Sequence, residues 1–184
     1  MKKVLLTGGL GYIGSHICVE LMNKGYEAII IDNLSNSSIN SLDGVKKITG
    51  HKPKLYINDL RDKASLLRIF KENKIESVIH LAGFKSVNES IEAPLSYYNN
   101  NINGTITLLE VMYQFNCKSL IFSSSATVYA SSNEMPISES APLAASSPYG
   151  SSKLVIERIL HDLSSSDDDW RISILRYFNP LWNV

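Results

Sequence analysis

The segment Thr7-Gly8-Gly9-Leu10-Gly11-Tyr12-Ile13-Gly14 follows a short apolar run, Val4-Leu5-Leu6, and opens directly into a helical pattern. A strand, a glycine-rich turn and a helix in that order leave few folds open. Gly8, Gly11 and Gly14 let the chain turn tightly, let backbone approach a pyrophosphate and let the helix pack on the strand. The helix N-terminus then presents N–H groups and the positive end of its dipole to phosphates. Asp32 ends the next apolar run, Ala28-Ile29-Ile30-Ile31, where a carboxylate can accept hydrogen bonds from the hydroxyls of an adenosine ribose. Its charge repels a 2′-phosphate, and no Arg follows in Asn33-Leu34-Ser35-Asn36-Ser37, so the expected cofactor is NAD and not NADP.

Strand and helix patterns alternate along the rest of the chain. Ile13, Ile17, Leu21 and Met22 share one helix face, and Asn23-Lys24-Gly25 supplies a C-terminal stop. Later strand candidates are Leu55-Tyr56-Ile57, Val78-Ile79-His80-Leu81, Leu120-Ile121-Phe122 and Ile172-Ser173-Ile174-Leu175. Helical stretches fall at 63–72, 95–114 and 149–163, with a long loop over 131–147 and a polar turn over 164–169. Continuously apolar, β-branched strands are those of a parallel sheet buried on both faces. The expected fold class is therefore α/β: a Rossmann-like doubly wound parallel sheet with right-handed crossovers.

Bulk properties exclude several functions. The 184 residues are 44% hydrophobic and 20% charged with a net charge of +0, which provides no positive field for nucleic acid or an acidic membrane. No apolar run approaches the roughly 18–20 residues of a spanning helix. Cys18 and Cys117 stand in helical patterns without metal-ligand spacing and read as reduced packing residues of a cytoplasmic protein. His16, His51, His80 and His161 are scattered, and the run Asp167-Asp168-Asp169 reads as a solvated loop; no metal site is expected.

Tyr149 and Lys153 stand four residues apart within a helical stretch, so they share a face at about 5–6 Å between Cβ atoms. A fixed ammonium there lowers the phenol's pKa toward working pH and makes Tyr149 a base for an alcohol proton. Alone this spacing is a weak motif; the nucleotide loop earlier in the chain gives it weight.

Together these segments resemble the extended short-chain dehydrogenase/reductase family, and within it the branch that interconverts UDP-glucose and UDP-galactose at C4. Further matching stretches are Ala82-Gly83-Phe84-Lys85, Tyr97-Tyr98-Asn99-Asn100-Asn101, Phe122-Ser123-Ser124-Ser125-Ala126-Thr127-Val128-Tyr129 and Leu175-Arg176-Tyr177-Phe178-Asn179-Pro180. The resemblance implies that Tyr12 and Ile13 touch the pyrophosphate. It places Asp32, Asn33, Leu34, Ser35, Asn36 and Ser37 at the adenosine ribose, and Asp59 with Leu60 at the adenine. Leu81, Ala82, Gly83, Phe84 and Lys85 would line the cofactor, with Asn100 facing it from a helix. Ser125, Tyr149 and Lys153 would be catalytic, Lys153 also holding the nicotinamide ribose and Phe178 lying near the nicotinamide. Lys85, Ser125, Tyr149 and Asn179 would meet the sugar nucleotide. By residue type alone, Ser123 to Ser125 equally end a strand and Lys85 is equally a solvated loop cation. The implied reaction is NAD-dependent epimerisation through a 4-keto sugar, an isomerisation without net redox.

Nucleotide-sugar dehydratases of the same family carry an acidic pair where this chain has Ala126-Thr127, so dehydration is disfavoured. Ala130 replaces a usual Gly and Ser151 a usual Lys. The family continues past residue 180 into a C-terminal substrate region and is expected to be homodimeric at full length. Here 1–180 reads as the NAD-binding domain and 181–184 as a tail unlike the family. Two readings stay open: an epimerase whose given sequence is incomplete, and a catalytically silent NAD-binding fragment. The 184 residues alone are expected to lack epimerase activity.

Overall fold

A computed structural model describes residues 1–131 and 135–178. The apolar runs of the sequence become strands because, with helices on both faces, they bury side chains in both directions. β1 (Lys3–Thr7) and β2 (Glu27–Asp32) are each buried from their second residue onward. Successive residues diverge as the strand period of two requires. Leu5, Ile29 and Ile31 join Leu66, Phe70, Val78, Leu108, Phe122 and Leu160 in one core. Leu6, Ala28 and Ile30 join Leu10, Cys18, Leu42 and Val45 in the other. Each such aliphatic side chain contributes about 1.5–3 kcal/mol relative to exposure.

With β3 (Lys54–Ile57), β4 (Ser77–His80), β5 (Ser119–Ser125) and β6 (Arg171–Tyr177), the strands form one six-stranded sheet in the order β3-β2-β1-β4-β5-β6. Every pairing is parallel, with Leu5 opposite both Ile29 and Val78, and Phe122 opposite both His80 and Ile174. This is the doubly wound Rossmann-like topology. The order reverses between β1 and β4, and the carboxyl ends of those strands diverge into a crevice.

The helices are α1 (Tyr12–Asn23), α2 (Ser41–Thr49), α3 (Lys63–Asn73), α4 (Val87–Glu92), α5 (Pro94–Tyr98), α6 (Gly104–Gln114) and α7 (Pro148–Ser166). Two of these the periodicity does not predict. α2 buries only Leu42 and Val45, behind a Ser/Asn-rich lead that reads as loop. α4 buries only Ser90, although Ser86 accepts the Glu89 amide in the S-x-x-E capping pattern that announces a helix start. The single helix expected over 95–114 is α5, a π-helical turn over Asn99–Asn103, and α6.

The polar turn expected over 164–169 is shorter than predicted. α7 runs on to Ser166, and Asp167 and Asp169 hold Lys118 at 2.8 and 3.1 Å, so the acidic run is an ion-pair anchor. Within the 131–147 loop, a bridge joins Tyr129 to Leu143. Ala130 donates its amide to the Pro142 carbonyl and has no positive φ. Cys18 and Cys117 are unpaired and buried, and burial pushes both thiols up to about 11. Among the described residues no helix is long and apolar enough to cross a membrane, and no group of acidic, His and Cys side chains could hold a metal.

Candidate active site

A cavity of about 440 Å³ opens at the carboxyl ends of β1, β2, β4 and β5. Its first wall is the glycine loop. Gly8 has φ +66°, and a Cβ there would lie 2.8 Å from the Ala82 amide. A Cβ on Gly14 would lie 2.5 Å from the Gly8 carbonyl, so α1 can pack this closely on β1 only with glycine there. Gly11 is the N-cap of α1, and no side chain caps that helix. Tyr12 and Ile13 complete this wall.

At the far end of β2, Asp32 accepts from the Leu10 amide at 3.0 Å, the Leu34 amide at 2.9 Å and the Ser37 hydroxyl at 2.7 Å. The chain thus uses three of the roughly four acceptor positions of the carboxylate. Asn33, Ser35, Asn36 and Ser37 line the cavity with it. Leu34 departs from expectation. Its backbone takes φ +58° and its side chain packs into the core behind the loop, so only its neighbours face the cavity. Asp59 and Leu60 stand beside Asn33. Arg61 grips Asp59 in a two-pronged contact at 2.9 and 2.7 Å, and with the Asn33 amide it holds that carboxyl well below the usual carboxylate range.

The floor is the turn after β4, where Leu81, Ala82, Gly83, Phe84 and Lys85 all line the cavity. The Thr7 hydroxyl accepts the Leu81 and Ala82 amides, both at 3.2 Å, which leaves its proton for His80 Nδ1 at 2.6 Å. His80 Nε2 then donates to Thr105, which donates to the Asn101 carbonyl. Burial, with Lys153 nearby, pushes His80 down to about 3 and keeps it neutral. It is a satisfied core histidine, while His16, His51 and His161 are exposed. Sequence reasoning missed the role of Asn101. From the π-helical turn its amide accepts the Phe84 N–H at 2.8 Å, donates to the Phe84 carbonyl at 3.1 Å and donates to Ser152 at 3.0 Å. The only signal was an Asn run inside a helix, where Asn is a poor former. Asn100 faces the cavity as expected.

α7 supplies the remaining groups. Ser147 caps it by accepting the Gly150 amide, and Pro148 sits in its first turn. Tyr149 and Lys153 both line the cavity, as do Ser125 and Phe178. Lys153 is 4% exposed, donates to the Ser123 carbonyl at 2.8 Å and lies 4.8 Å above the Phe122 ring. Burial brings its pKa down to about 8, against the upward pull of Glu157 one turn on. Glu157 is itself buried between Ser124 and the Arg176 guanidinium. The expected lowering of the Tyr149 phenol pKa by Lys153 is not found. Burial raises that pKa and a hydrogen bond with Ser125 offsets it in part, because the Lys153 ammonium points to Ser123 instead. Phe178 is half exposed and stacks on Tyr129 at 6.4 Å. Asn179 and residues 180–184 lie outside the described residues. Asn58, Val87, Ser123, Ser124, Thr127 and Tyr177 also line the cavity; Ser123, Ser124, Thr127 and Tyr177 fall in stretches that carry the family resemblance, and Asn58 and Val87 do not.

A doubly wound sheet, a glycine cradle at its switch point and a Tyr–Lys pair with a buried lysine, all in one cavity, define a dinucleotide-dependent enzyme fold. The profile of the NAD dependent epimerase/dehydratase family matches residues 4–181, and the chain belongs to that family. It is 54% identical over 183 residues to UDP-glucose 4-epimerase 2 of Arabidopsis thaliana, covering 98% of this chain and 52% of that protein. It is 52% identical over 177 residues to UDP-glucose 4-epimerase of Bacillus subtilis (strain 168), covering 96% and 52%. The crystal structure of UDP-glucose 4-epimerase from Bifidobacterium longum in complex with NAD+ and UDP superposes with a TM-score of 0.95 at 50% identity, covering 97% of this chain and 54% of that one. The chain spans about half the length of the curated relatives it matches.

Proposed function

We propose that this chain holds NAD in the cavity at the switch point and serves the epimerisation of a UDP-hexose, glucose to galactose, at C4. The observation that carries this reading is the meeting of Tyr149, Ser125 and Lys153 with the glycine cradle in a single cavity. The residues fit the dinucleotide: Gly8, Gly11 and Gly14 line the cavity, and Gly11 opens α1 with no side-chain cap on its first N–H groups. Asp32 keeps an acceptor position for a ribose hydroxyl, and Arg61, engaged by Asp59, is not offered to a 2′-phosphate. The relatives' names and the NAD+ and UDP of the Bifidobacterium structure support the same assignment.

NAD, which the glycine cradle, Asp32 and Lys153 would hold, would supply a reversible acceptor for the C4 hydride. The chain's own work is protonic and positional. Tyr149 takes the proton of the 4-hydroxyl and gives it back when the ketone is reduced. Ser125 donates to the same oxygen as charge develops on it. Lys153, on the next turn of α7, would hold a ribose hydroxyl. Lys85 and Phe178 line the cavity; Lys85 is proposed to meet the sugar nucleotide together with Asn179, and Phe178 to lie near the nicotinamide. Ala126 and Thr127 offer no carboxyl for the proton shuffling of a dehydratase.

The protein is proposed to be cytoplasmic, with residues 1–180 as its NAD-binding domain and no nucleic-acid or membrane partner. A homodimer is supported by an apolar groove between α6 and α7, lined by Ile106, Leu109, Tyr113, Ile159 and Leu163. A second reading, NAD binding without turnover, is separated from this one by the same experiment. The test compares the 184 residues alone with the same residues joined to a C-terminal half of the relatives' kind, each given NAD and UDP-galactose. Conversion to UDP-glucose without accumulating NADH by the longer polypeptide supports epimerisation. Stoichiometric NADH, or no conversion by either, refutes it, and conversion by the shorter polypeptide refutes the silent reading.

A further inference from the structure

The turn after β5 contains a hydrogen-bond arrangement whose polarity is fixed by counting. The Ser125 hydroxyl oxygen accepts from the Thr127 amide at 3.2 Å and from the Thr127 hydroxyl at 3.0 Å. A serine hydroxyl has one proton to donate and two lone pairs to accept with. Both lone pairs are taken by one residue, so the proton is left to point elsewhere. The Tyr149 phenol is the group it meets, across the cavity wall from α7. Thr127 sits in the 3-10 turn Ala126–Val128, and its carbonyl packs on α7 at Gly150, the residue after Tyr149. A Cβ on Gly150 would lie 2.6 Å from the Thr127 carbonyl. The turn that orients Ser125 and the helix that carries Tyr149 are thereby locked together by a contact only glycine allows.

From this geometry, and resting on the reading of Ser125 and Tyr149 given above, we infer that Thr127 is the positioning residue that makes Ser125 an obligate hydrogen-bond donor toward Tyr149. A serine free to rotate stabilises the phenol when it accepts and the phenolate when it donates, and so favours neither strongly. Held from behind by Thr127, Ser125 can only donate. Donation favours whichever oxygen carries negative charge, first the phenolate and then the sugar oxygen as its proton leaves. Thr127 itself has no acid or base to contribute.

The test is a titration of Tyr149 followed by ring 13C chemical shift in tyrosine-labelled protein, the Tyr149 signal being assigned by its loss in Tyr149→Phe. Lys153 and Glu157 on α7, Arg176 and Tyr177 on β6, and Lys85 after β4 are the charged or titratable groups around the site and are kept in every variant. Thr127→Val removes the hydroxyl and keeps the shape; it is expected to raise the Tyr149 pKa by about half a unit, roughly a threefold loss of phenolate at fixed pH. Thr127→Ser restores the donor and is expected to titrate like the parent. Ser125→Ala is expected to raise the pKa at least as far, and adding Thr127→Val to it to change nothing more. Should Thr127→Val not fold, Thr127→Ala reads the same loss.

The inference is overturned if removing the Thr127 hydroxyl leaves Tyr149 unmoved, if Ser125→Ala leaves it unmoved, or if Thr127→Val raises it equally without Ser125. Because the titration reads the phenol and not turnover, these shifts together with no conversion by either the 184 residues or the longer polypeptide would refute the proposed function and leave this inference standing.

Discussion

Lys153 is buried as a charge, and its replacement by Met is expected to reveal the cost through pH. Its ammonium is held near 8 in the folded chain against 10.5 for an ordinary lysine. At about 1.36 kcal/mol per pKa unit, the folded state opposes protonation of this group by about 3 kcal/mol. Below pH 8 both folded and unfolded chains carry the proton, and the whole penalty is present. Between 8 and 10.5 the folded chain sheds the proton while the unfolded chain keeps it, so stability rises with pH. Lys153→Met keeps the apolar stem without the charge. It leaves the Ser123 carbonyl without its partner, at about 1–2 kcal/mol. At pH 7 the variant should therefore be more stable than the parent by about 1–2 kcal/mol. Near pH 10 the order should reverse, because a neutral Lys153 still donates to Ser123 and no longer costs anything to bury. Urea unfolding of both proteins, freed of nucleotide and followed by far-ultraviolet circular dichroism from pH 7 to 10, measures the gap directly; the other titrating groups are shared and cancel. A gap that does not change with pH, or a variant less stable than the parent at pH 7, would refute the assignment of a desolvated charge to Lys153.

Calorimetry should show NAD bound at least tenfold tighter than NADP, about 1.4 kcal/mol, and equal binding would remove Asp32 as the discriminating group. Tyr149→Phe, made in a polypeptide that includes a C-terminal half, should lower turnover by roughly 10²–10⁴-fold while NAD still binds; near-normal turnover would mean another base. Gly14→Ala places a methyl against the Gly8 carbonyl and should destabilise the fold by about 1–3 kcal/mol with weaker NAD binding, both measurable by thermal unfolding with and without nucleotide.

The sheet was readable because its strands are buried on both faces: Ala28-Ile29-Ile30-Ile31 has no polar partner face and fits little else. The glycine loop was readable because close approach excludes every other side chain, as the Cβ distances at Gly8 and Gly14 bear out. What periodicity hid were elements that bury little or break the rules of their class. α4 buries a single serine, and the π-helical turn over Asn99–Asn103 interrupts an otherwise regular apolar pattern. Most residues expected at the site from strand ends and turns line the cavity, while Leu34, with a positive φ, packs against the core. The titration of Tyr149 was misjudged because spacing reports that two side chains share a helix face and says nothing of what else competes for the ammonium. Here the Ser123 carbonyl does.

The Asn101 amide clasps both the N–H and the carbonyl of Phe84, the pairing that a neighbouring strand would otherwise give. A five-residue turn that would be free to wander is therefore set before any ligand arrives. Fixing a residue's backbone costs about 1–2 kcal/mol of entropy, and here folding meets that cost in advance of binding. On the proposed assignment of this turn to the cofactor, nucleotide affinity is thus partly stored in an asparagine that lies beneath it. Its replacement should appear as a slower, more adaptive association and not as a lost contact.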